Sequence, residues 1–377
     1  MSGMLTLRAA KAPAPVPATL AQFTDAAFVE VLFCRGPSSR AAIAKATGIS
    51  KPTISESAQR LLGAGVIVEV GQATGQRGRP TLLYDINAAH GHALGVVLER
   101  GHVAVRALDY RGEVIVDYQI EAGEVDVPTA ATDARNLVVK CADRAGSPRL
   151  ATAVSVAAPV DPVMATVLQL PDSPFAGTVA GFAQALGLGA GEQLRVDNDV
   201  NWATLAEQRI GSMQRASDFL YLYLGAGVGA GLFLSGRLHR GATGFAGEIA
   251  FTRLDGGGTL MHRLAQSPLG TDDGRSIDVE RAQVLLDVPD GDCALSAVLD
   301  ELARMVTNMA TMIDPGHIVL GGPLARTQAM AHGLATRLSA EAATPVSVVV
   351  SALGQDAPLA GAAMGALELA RNAQATQ

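Results

Sequence analysis

The stretch RVDNDVNWATLAEQRIG, residues 195–211, sets one carboxylate, Asp199, between two asparagines, Asn198 and Asn201. Its pattern reads as a short strand, Leu194 to Val196, running into a helix that begins near Val200. An Asp at such a junction can face a cleft and take a proton from a substrate hydroxyl. It can equally cap the helix. Active site, relic of one and simple cap all stay open on these residues alone. A second carboxylate, Glu248, lies in GFAGEIAF, downstream of a glycine series in LGAGVGAG: Gly225, Gly227, Gly229 and Gly231. Such glycines can cradle a phosphate on backbone N–H groups. They can also serve a hairpin that another backbone approaches closely.

A different chemistry is written near the N-terminus. Leu20 to Phe33 reads as an amphipathic helix, broken at Gly36-Pro37. Ser38 or Ser39 can cap a second helix, RAAIAKATG, that ends at Gly48, and Ser50 can cap a third with Pro52 in its first turn. Two short helices about a tight turn form a helix-turn-helix. Ala41, Ala44, Ile43, Ile49, Ile54 and Leu61 are its expected core. Lys51, Thr53, Ser55, Glu56 and Gln59 are left on the outer face of the third helix, where short polar side chains read a major groove. Val66 to Val70 and Thr81 to Ile86 alternate as paired strands, and the loop between them holds Arg77, Gly78, Arg79 and Pro80. Arginines flanking glycine fit a narrow minor groove. Alone this would be a solvated hairpin; after a helix-turn-helix it reads as the DNA-contacting wing of a winged helix.

Charge follows the same division. Residues 1–90 hold nine Lys/Arg against five Asp/Glu, a net of +4, while the whole chain carries −7, leaving −11 on residues 91–377. A basic head on an acidic body points to a polyanion as the partner of the head. The chain of 377 residues is 49% hydrophobic but only 4% aromatic, a composition for helices packed on buried strands. No apolar run reaches the roughly 18 residues of a membrane span, and MSGMLTLRAAKAPAPVPATL reads as a disordered arm over residues 1–18. Cys34, Cys141 and Cys293 lack metal or redox spacing, which fits a soluble, reducing, cytoplasmic setting.

The body repeats one pattern. ALGVVLE, HVAVRALD and EVIVDYQI are close strands joined by short turns, followed by a helix near Thr129 to Ala145 and the buried strand ATAVSVAAP. FLYLYLG, VGAGLFLS and GRLHRG open a second set, continued by a helix over Ala294 to Ile313, the strands HIVLGG and VSVVVSA, and a helix from Pro358 to about Arg371. The expected fold is α/β: an N-terminal winged helix-turn-helix, residues 19–90, and a two-lobed, actin-like or ribonuclease H-like ATPase fold with a duplicated βββαβα unit over 91–377. Lobe one takes about 91–200 and the last helix; lobe two takes about 201–357.

The head, the GRP wing, VDNDVN, LGAGVGAGLFLSGRLHRGATGFAGEI and DPGHIVLGGPLA together resemble the ROK family of repressors and sugar kinases. In the kinases it resembles, the acid at the position of Asp199 is the catalytic base and the amide at Asn198 binds another sugar hydroxyl. Their first strand carries an Asp and paired glycines for metal and phosphate. Here that stretch is GVVLERGHVAV, with Val97 or Leu98 at the acidic position and Glu99-Arg100 in place of the glycine pair. A bulky, partly anionic pair there obstructs and repels a triphosphate. The second loop survives, and Gly321 to Pro323 matches the adenosine-side segment. Family members also bind structural zinc with a GExGH histidine and a cysteine knuckle. Phe251 stands at that histidine, no cysteine lies between Cys141 and Cys293, and His262 is the nearest imidazole, too few ligands for a tetrahedral site. No residue of LAQSPLGTDD clearly replaces the glutamate that follows the knuckle.

These readings converge on a DNA-binding regulator of ROK type, with double-stranded operator DNA as partner. A sugar or sugar phosphate would be held at Asn198, Asp199 and Glu248, and no zinc, ATP or membrane is expected. Operator symmetry implies a dimer or tetramer. The alternatives are a sugar kinase with a fused head and a ligand-independent DNA-binding protein.

Overall fold

The computed structural model describes residues 17–73, 81–99, 102–121, 127–170, 177–189, 192–287, 293–327 and 329–374. The chain divides into two compact units, Met1–His90 with Leu369–Gln377, and Gly91–Glu368.

The first unit has three helices, α1 (Pro17–Arg35), α2 (Arg40–Thr47) and α3 (Lys51–Gly63), then two strands, β1 (Ile67–Ala73) and β2 (Thr81–Ile86). Local chemistry sets each boundary. Ser39 caps α2 by accepting from Ala42 N, and Gly48 ends it in the left-handed conformation at φ 73°. Ser50 caps α3, with Pro52 in its first turn. The strands pair antiparallel, with an irregularity between Glu69 and Gly71. Phe28, Leu32, Ile43, Ile54, Ala58, Leu61, Val66, Ile67, Tyr84 and Ile86 are buried. Asp25 ties α1 to α3, accepting from Arg60 at 2.7 and 3.0 Å and from the Ser57 hydroxyl at 2.5 Å. Ala41 corrects the expected core: it lies on the exposed side of α2, and Ile49 is only half-buried.

The second unit is built on two five-stranded sheets. The first uses β3 (His92–Glu99), β4 (His102–Asp109), β5 (Val114–Glu121), β6 (Arg149–Val156) and β10 (Gln193–Asn198), in the order β10-β6-β3-β4-β5. Helix α4 (Val127–Ala145) precedes β6. A small sheet of β7 (Val160–Asp161), β8 (Thr166–Val167) and β9 (Gly177–Thr178), with helix α5 (Val179–Ala185), precedes β10. Helix α6 (Asp199–Arg209) follows it. The second sheet uses β11 (Phe219–Leu224), β12 (Val228–Leu234), β13 (Arg237–His239), β14 (His317–Gly321) and β15 (Ser347–Val350), in the order β13-β12-β11-β14-β15. Helices α7 (Leu260–Ala265), α8 (Val279–Leu286) and α9 (Cys293–Ile313) lie between β13 and β14, α10 (Ala335–Glu341) precedes β15, and α11 (Ala357–Gln374) ends the chain.

Numbered within each set, both sheets read 3-2-1-4-5. In both, the first three strands are antiparallel and the last two run parallel to the first. The helix that closes each set covers the other set's sheet. On α6, Val200 and Thr204 meet Gly229 and Gly231 of β12, while on α11, Ala363 sits against Gly95 of β3. The two helices touch where Trp202 packs on Gly361 and Gly365, and a Cβ at either glycine would overlap Trp202. Trp202 is fully buried and donates its indole N–H to Val154 O at 2.9 Å. Among the described residues no helix is long and apolar enough to cross a membrane.

Candidate functional site

Asn198 ends β10 and caps α6. Its Oδ1 accepts from Val200 N at 2.9 Å and from Asn201 N at 3.3 Å. The cap therefore falls to Asn198, and Asp199 becomes the first helical residue. An anion is favoured there by the exposed N–H groups and the helix dipole. Asp199 Oδ1 accepts from Val200 N at 2.9 Å. Burial nonetheless pushes the Asp199 carboxyl up to about 6, against the pull of that N–H and of Asn198.

Strand register brings a further acid to the same level. Leu98 of β3 is opposite Val156 of β6, which is opposite Asn198 of β10. Glu99 and Asp199 thus leave the sheet together, about 10 Å apart at the backbone on two strand spacings. Between them β6 runs out into the small residues Ala157 and Ala158. Burial, then the charges of Asp199 and Glu121, push the Glu99 carboxyl up to about 7.

Glu248 comes from the segment after β13, which packs on the other sheet. Gly247 adopts φ 92° and lies flat on β12, where its carbonyl accepts from Ala230 N at 2.8 Å. A side chain at 247 would overlap the Ala230 carbonyl, so the glycine is required by close approach as well as by conformation. Burial and the Asp199 charge push the Glu248 carboxyl up to about 7. The phenols of Tyr221 and Tyr223 are raised by burial and by nearby acids, Asp199 among those acting on each. Asp199 thus acts through space on Glu99, Glu248, Tyr221 and Tyr223, and Asn198 adjoins it in the chain. Of the large aromatics nearby, Trp202 is fully buried in the core, and Phe251 pairs with Phe245, ring centroids 5.4 Å apart.

The glycine series divides. Gly229 and Gly231 are strand residues of β12, and a Cβ at Gly231 would overlap Thr204 of α6. They answer to helix–sheet packing, the close backbone approach that was one of the two readings open for them. Gly225 and Gly227 alone form the turn: Gly225 is wedged against the Tyr223 hydroxyl, whereas a Cβ at Gly227 would meet open space. Among the described residues no group of three or more His, Cys, Asp or Glu side chains is arranged to hold a metal ion.

In the first unit, Lys51, Glu56 and Gln59 are exposed on α3, and Thr53 and Ser55 are partly covered. The Thr53 hydroxyl lies 2.7 Å from the Ser50 hydroxyl, and that of Ser55 donates to Lys51 O at 3.0 Å. Both belong to the start of the helix as well as to its outer face. Arg77, Arg79 and Arg100 lie outside the described residues.

Glu99, Tyr221 and Tyr223 are the site residues that sequence reasoning did not gather. Glu99 was legible as an obstacle in the first strand, not as a neighbour of Asp199. The tyrosines carried a signal in FLYLYL, where alternation sets two phenols on one face of an apolar strand.

The chain resembles known proteins in several ways. It is 27% identical over 223 residues to the xylose repressor of Caldicellulosiruptor bescii, covering 58% of this chain and 55% of that protein. The chain therefore spans little more than half the length of this curated relative. The crystal structure of a ROK family transcriptional regulator, a homologue of the E. coli MLC protein, superposes with a TM-score of 0.70 at 18% identity, covering 95% of this chain and 99% of that one. A ROK family glucokinase from Streptomyces griseus, solved with glucose and AMPPNP, superposes with a TM-score of 0.54 at 22% identity over 74% of this chain and all of the other. At these identities the two structures establish the fold. Residues 93–272 and 284–369 match the family described as ROK, well over half of the sequence, and the chain belongs to the ROK family.

Proposed function

We propose that the chain is a DNA-binding transcriptional regulator whose ROK unit senses a sugar or sugar derivative without phosphorylating it. The observation that carries this reading is a separate N-terminal unit of three helices and a hairpin ahead of the ROK unit. We read that unit as a winged helix, with α3 entering the major groove and the Arg77/Arg79 loop the minor groove. The repressor name of the xylose relative supports the same assignment. Operator DNA is the partner, and the working form is a dimer or tetramer on a symmetric site. The sugar lies at Asn198, Asp199 and Glu248, and lobe closure around it changes the spacing of two heads.

Two results test the DNA assignment. Selection of genomic fragments with purified protein is expected to enrich a sequence of dyad symmetry. Replacing Arg77 and Arg79 by Ala is expected to weaken binding to it and to lower its salt dependence by about two charges' worth of slope. Enrichment of no sequence would defeat the assignment.

The absence of kinase activity rests on Glu99-Arg100 standing in place of paired glycines; the Glu99 carboxyl feels the Asp199 charge, and a triphosphate would bring more negative charge to the same end of the sheet. A base near neutrality is suited to remove a hydroxyl proton, but phosphoryl transfer also requires held phosphates and Mg²⁺. The expected pattern is thermal stabilisation by a member of a sugar and sugar-phosphate panel, lost in Asp199→Ala and in Glu248→Ala. Each loss corresponds to roughly 1.5–3 kcal/mol of binding. ATP turnover that requires added hexose and vanishes in Asp199→Asn would establish the kinase instead. Phe251 stands in the sequence where the family carries a zinc-binding histidine and offers no ligand atom, and elemental analysis of protein prepared without chelators is expected to find no stoichiometric zinc.

A further inference from the structure

A cavity of about 360 Å³ lies in the second unit, with Asp161 and Asp197 in its wall but none of Asn198, Asp199 and Glu248. Its size falls within the roughly 300–1,000 Å³ of small-molecule sites. Val160, Pro162, Val179 and Leu194 give it an apolar wall, and Arg195 and Arg240 bring two positive charges. Both arginines spend their side-chain bonds on one oxygen. Arg240 reaches Asp197 Oδ2 with both Nε and Nη2, each at 2.6 Å, and Arg195 Nη2 donates to the same atom at 3.3 Å. Asp197 is buried, and its other oxygen accepts from Asn201 Nδ2 and Asn198 N, each at 2.9 Å. A guanidinium carries five N–H donors, so two of them sharing one oxygen leave donors in large excess. The remaining wall acid, Asp161, is turned into its own hairpin, with Oδ1 accepting from Val163 N at 2.8 Å and Met164 N at 2.9 Å.

We infer that this cavity binds a small carboxylate with a branched aliphatic body, its oxygens on Arg195 and Arg240 and its body against Val160, Val179 and Leu194. A planar carboxylate matches the guanidinium fork, and a bond between two charged groups is the strong kind. The apolar wall favours this ligand over a bare inorganic oxyanion, whose remaining oxygens would lose water without replacement. The place is distinct from the sugar cleft yet shares its supports: Asp197 lies two residues before Asp199 on one strand end, and Arg240 opens the segment that leads to Glu248.

The test uses the full chain with sodium 3-methylbutanoate, its neutral analogue 3-methylbutanamide and inorganic phosphate, followed by titration calorimetry. Trp202 is the one tryptophan of the chain, and the Arg195 guanidinium sits 5.1 Å from the centre of its ring, so indole emission reports on Arg195 directly. The expected result is saturable heat and a saturable emission change with the carboxylate alone. Arg195→Gln weakens the heat signal by roughly tenfold in affinity. Val179→Phe, which fills the cavity and keeps every charge, abolishes it. Three results each overturn the inference: no saturable heat from the carboxylate, an equal response to the amide or to phosphate, or binding that survives Val179→Phe. Unchanged Trp202 emission on saturation removes Arg195 from the site and overturns it likewise.

Discussion

Trp202→Ala is expected to lower the stability of the ROK unit by about 3–5 kcal/mol, at the upper end of large-to-small core substitutions. The indole is fully buried and lies against α11 at Gly365, while the backbone of Trp202 lies against Gly361, and neither glycine has a side chain to move into the space. Its loss also strips the Val154 carbonyl of its indole donor inside a dry region. Urea unfolding followed by far-ultraviolet circular dichroism reads this directly, since the fluorophore itself is removed. The midpoint is expected to fall with little change in slope, because the surface exposed on unfolding is nearly the same. A loss below about 1 kcal/mol would mean that the helices collapse onto the hole, contrary to the rigid packing described.

The second large effect concerns pH. Glu99, Asp199 and Glu248 are held at about 7, 6 and 7 in the folded chain, above the ordinary carboxylate range. In each the folded state favours the protonated form. The stabilisation is therefore complete below the unfolded values near 4 and is lost as pH rises through about 6 to 7. His90 and His92 act in the opposite sense, since burial disfavours their protonation and stability is lost on their account in acid. The difference between wild type and Glu99→Gln removes the histidines from the comparison. Glu99→Gln is expected to be nearly neutral at pH 4.5 and to stabilise the chain by about 1–3 kcal/mol at pH 8, where the wild type must hold a buried charge within reach of the Asp199 charge. Equal melting shifts for this variant at both pH values would exclude the acidic neighbourhood.

What the sequence disclosed follows from the range of the forces involved. The caps Ser39 and Ser50 and the stop at Gly48 are local, each set by a side chain within three residues of the backbone group it serves, and they were readable directly. The strands of both sheets were readable too, because alternation and short turns are local signals. The site was only half readable. The resemblance of VDNDVN and FAGE to family motifs placed Asn198, Asp199 and Glu248, but Glu99 joins them through the pairing of β3, β6 and β10, which no spacing in the sequence encodes. The packing role of the glycines was hidden for the same reason. Gly229 and Gly231 resemble a phosphate loop in one dimension, and only the arrival of Val200 and Thr204 from α6 reveals their use. The choice of Asn198 over Asp199 as the cap also needed the register, since either side chain is a good cap.

The exchange of closing helices has a consequence for how the ROK unit comes into being. Each sheet is covered by a helix that the other half of the sequence supplies, α11 for β3 and α6 for β12. A chain released only as far as Arg209 has made the first sheet and lacks its lid; it carries in α6 a lid for a sheet not yet synthesised. Neither half can shield its apolar surface alone, so the late step of folding is a mutual docking that must wait for residues 357–368. Fragments cut in the link between α6 and β11 would be sticky apart and complementary together. The same knot of Trp202, Gly361 and Gly365 would be the last part of the unit to form.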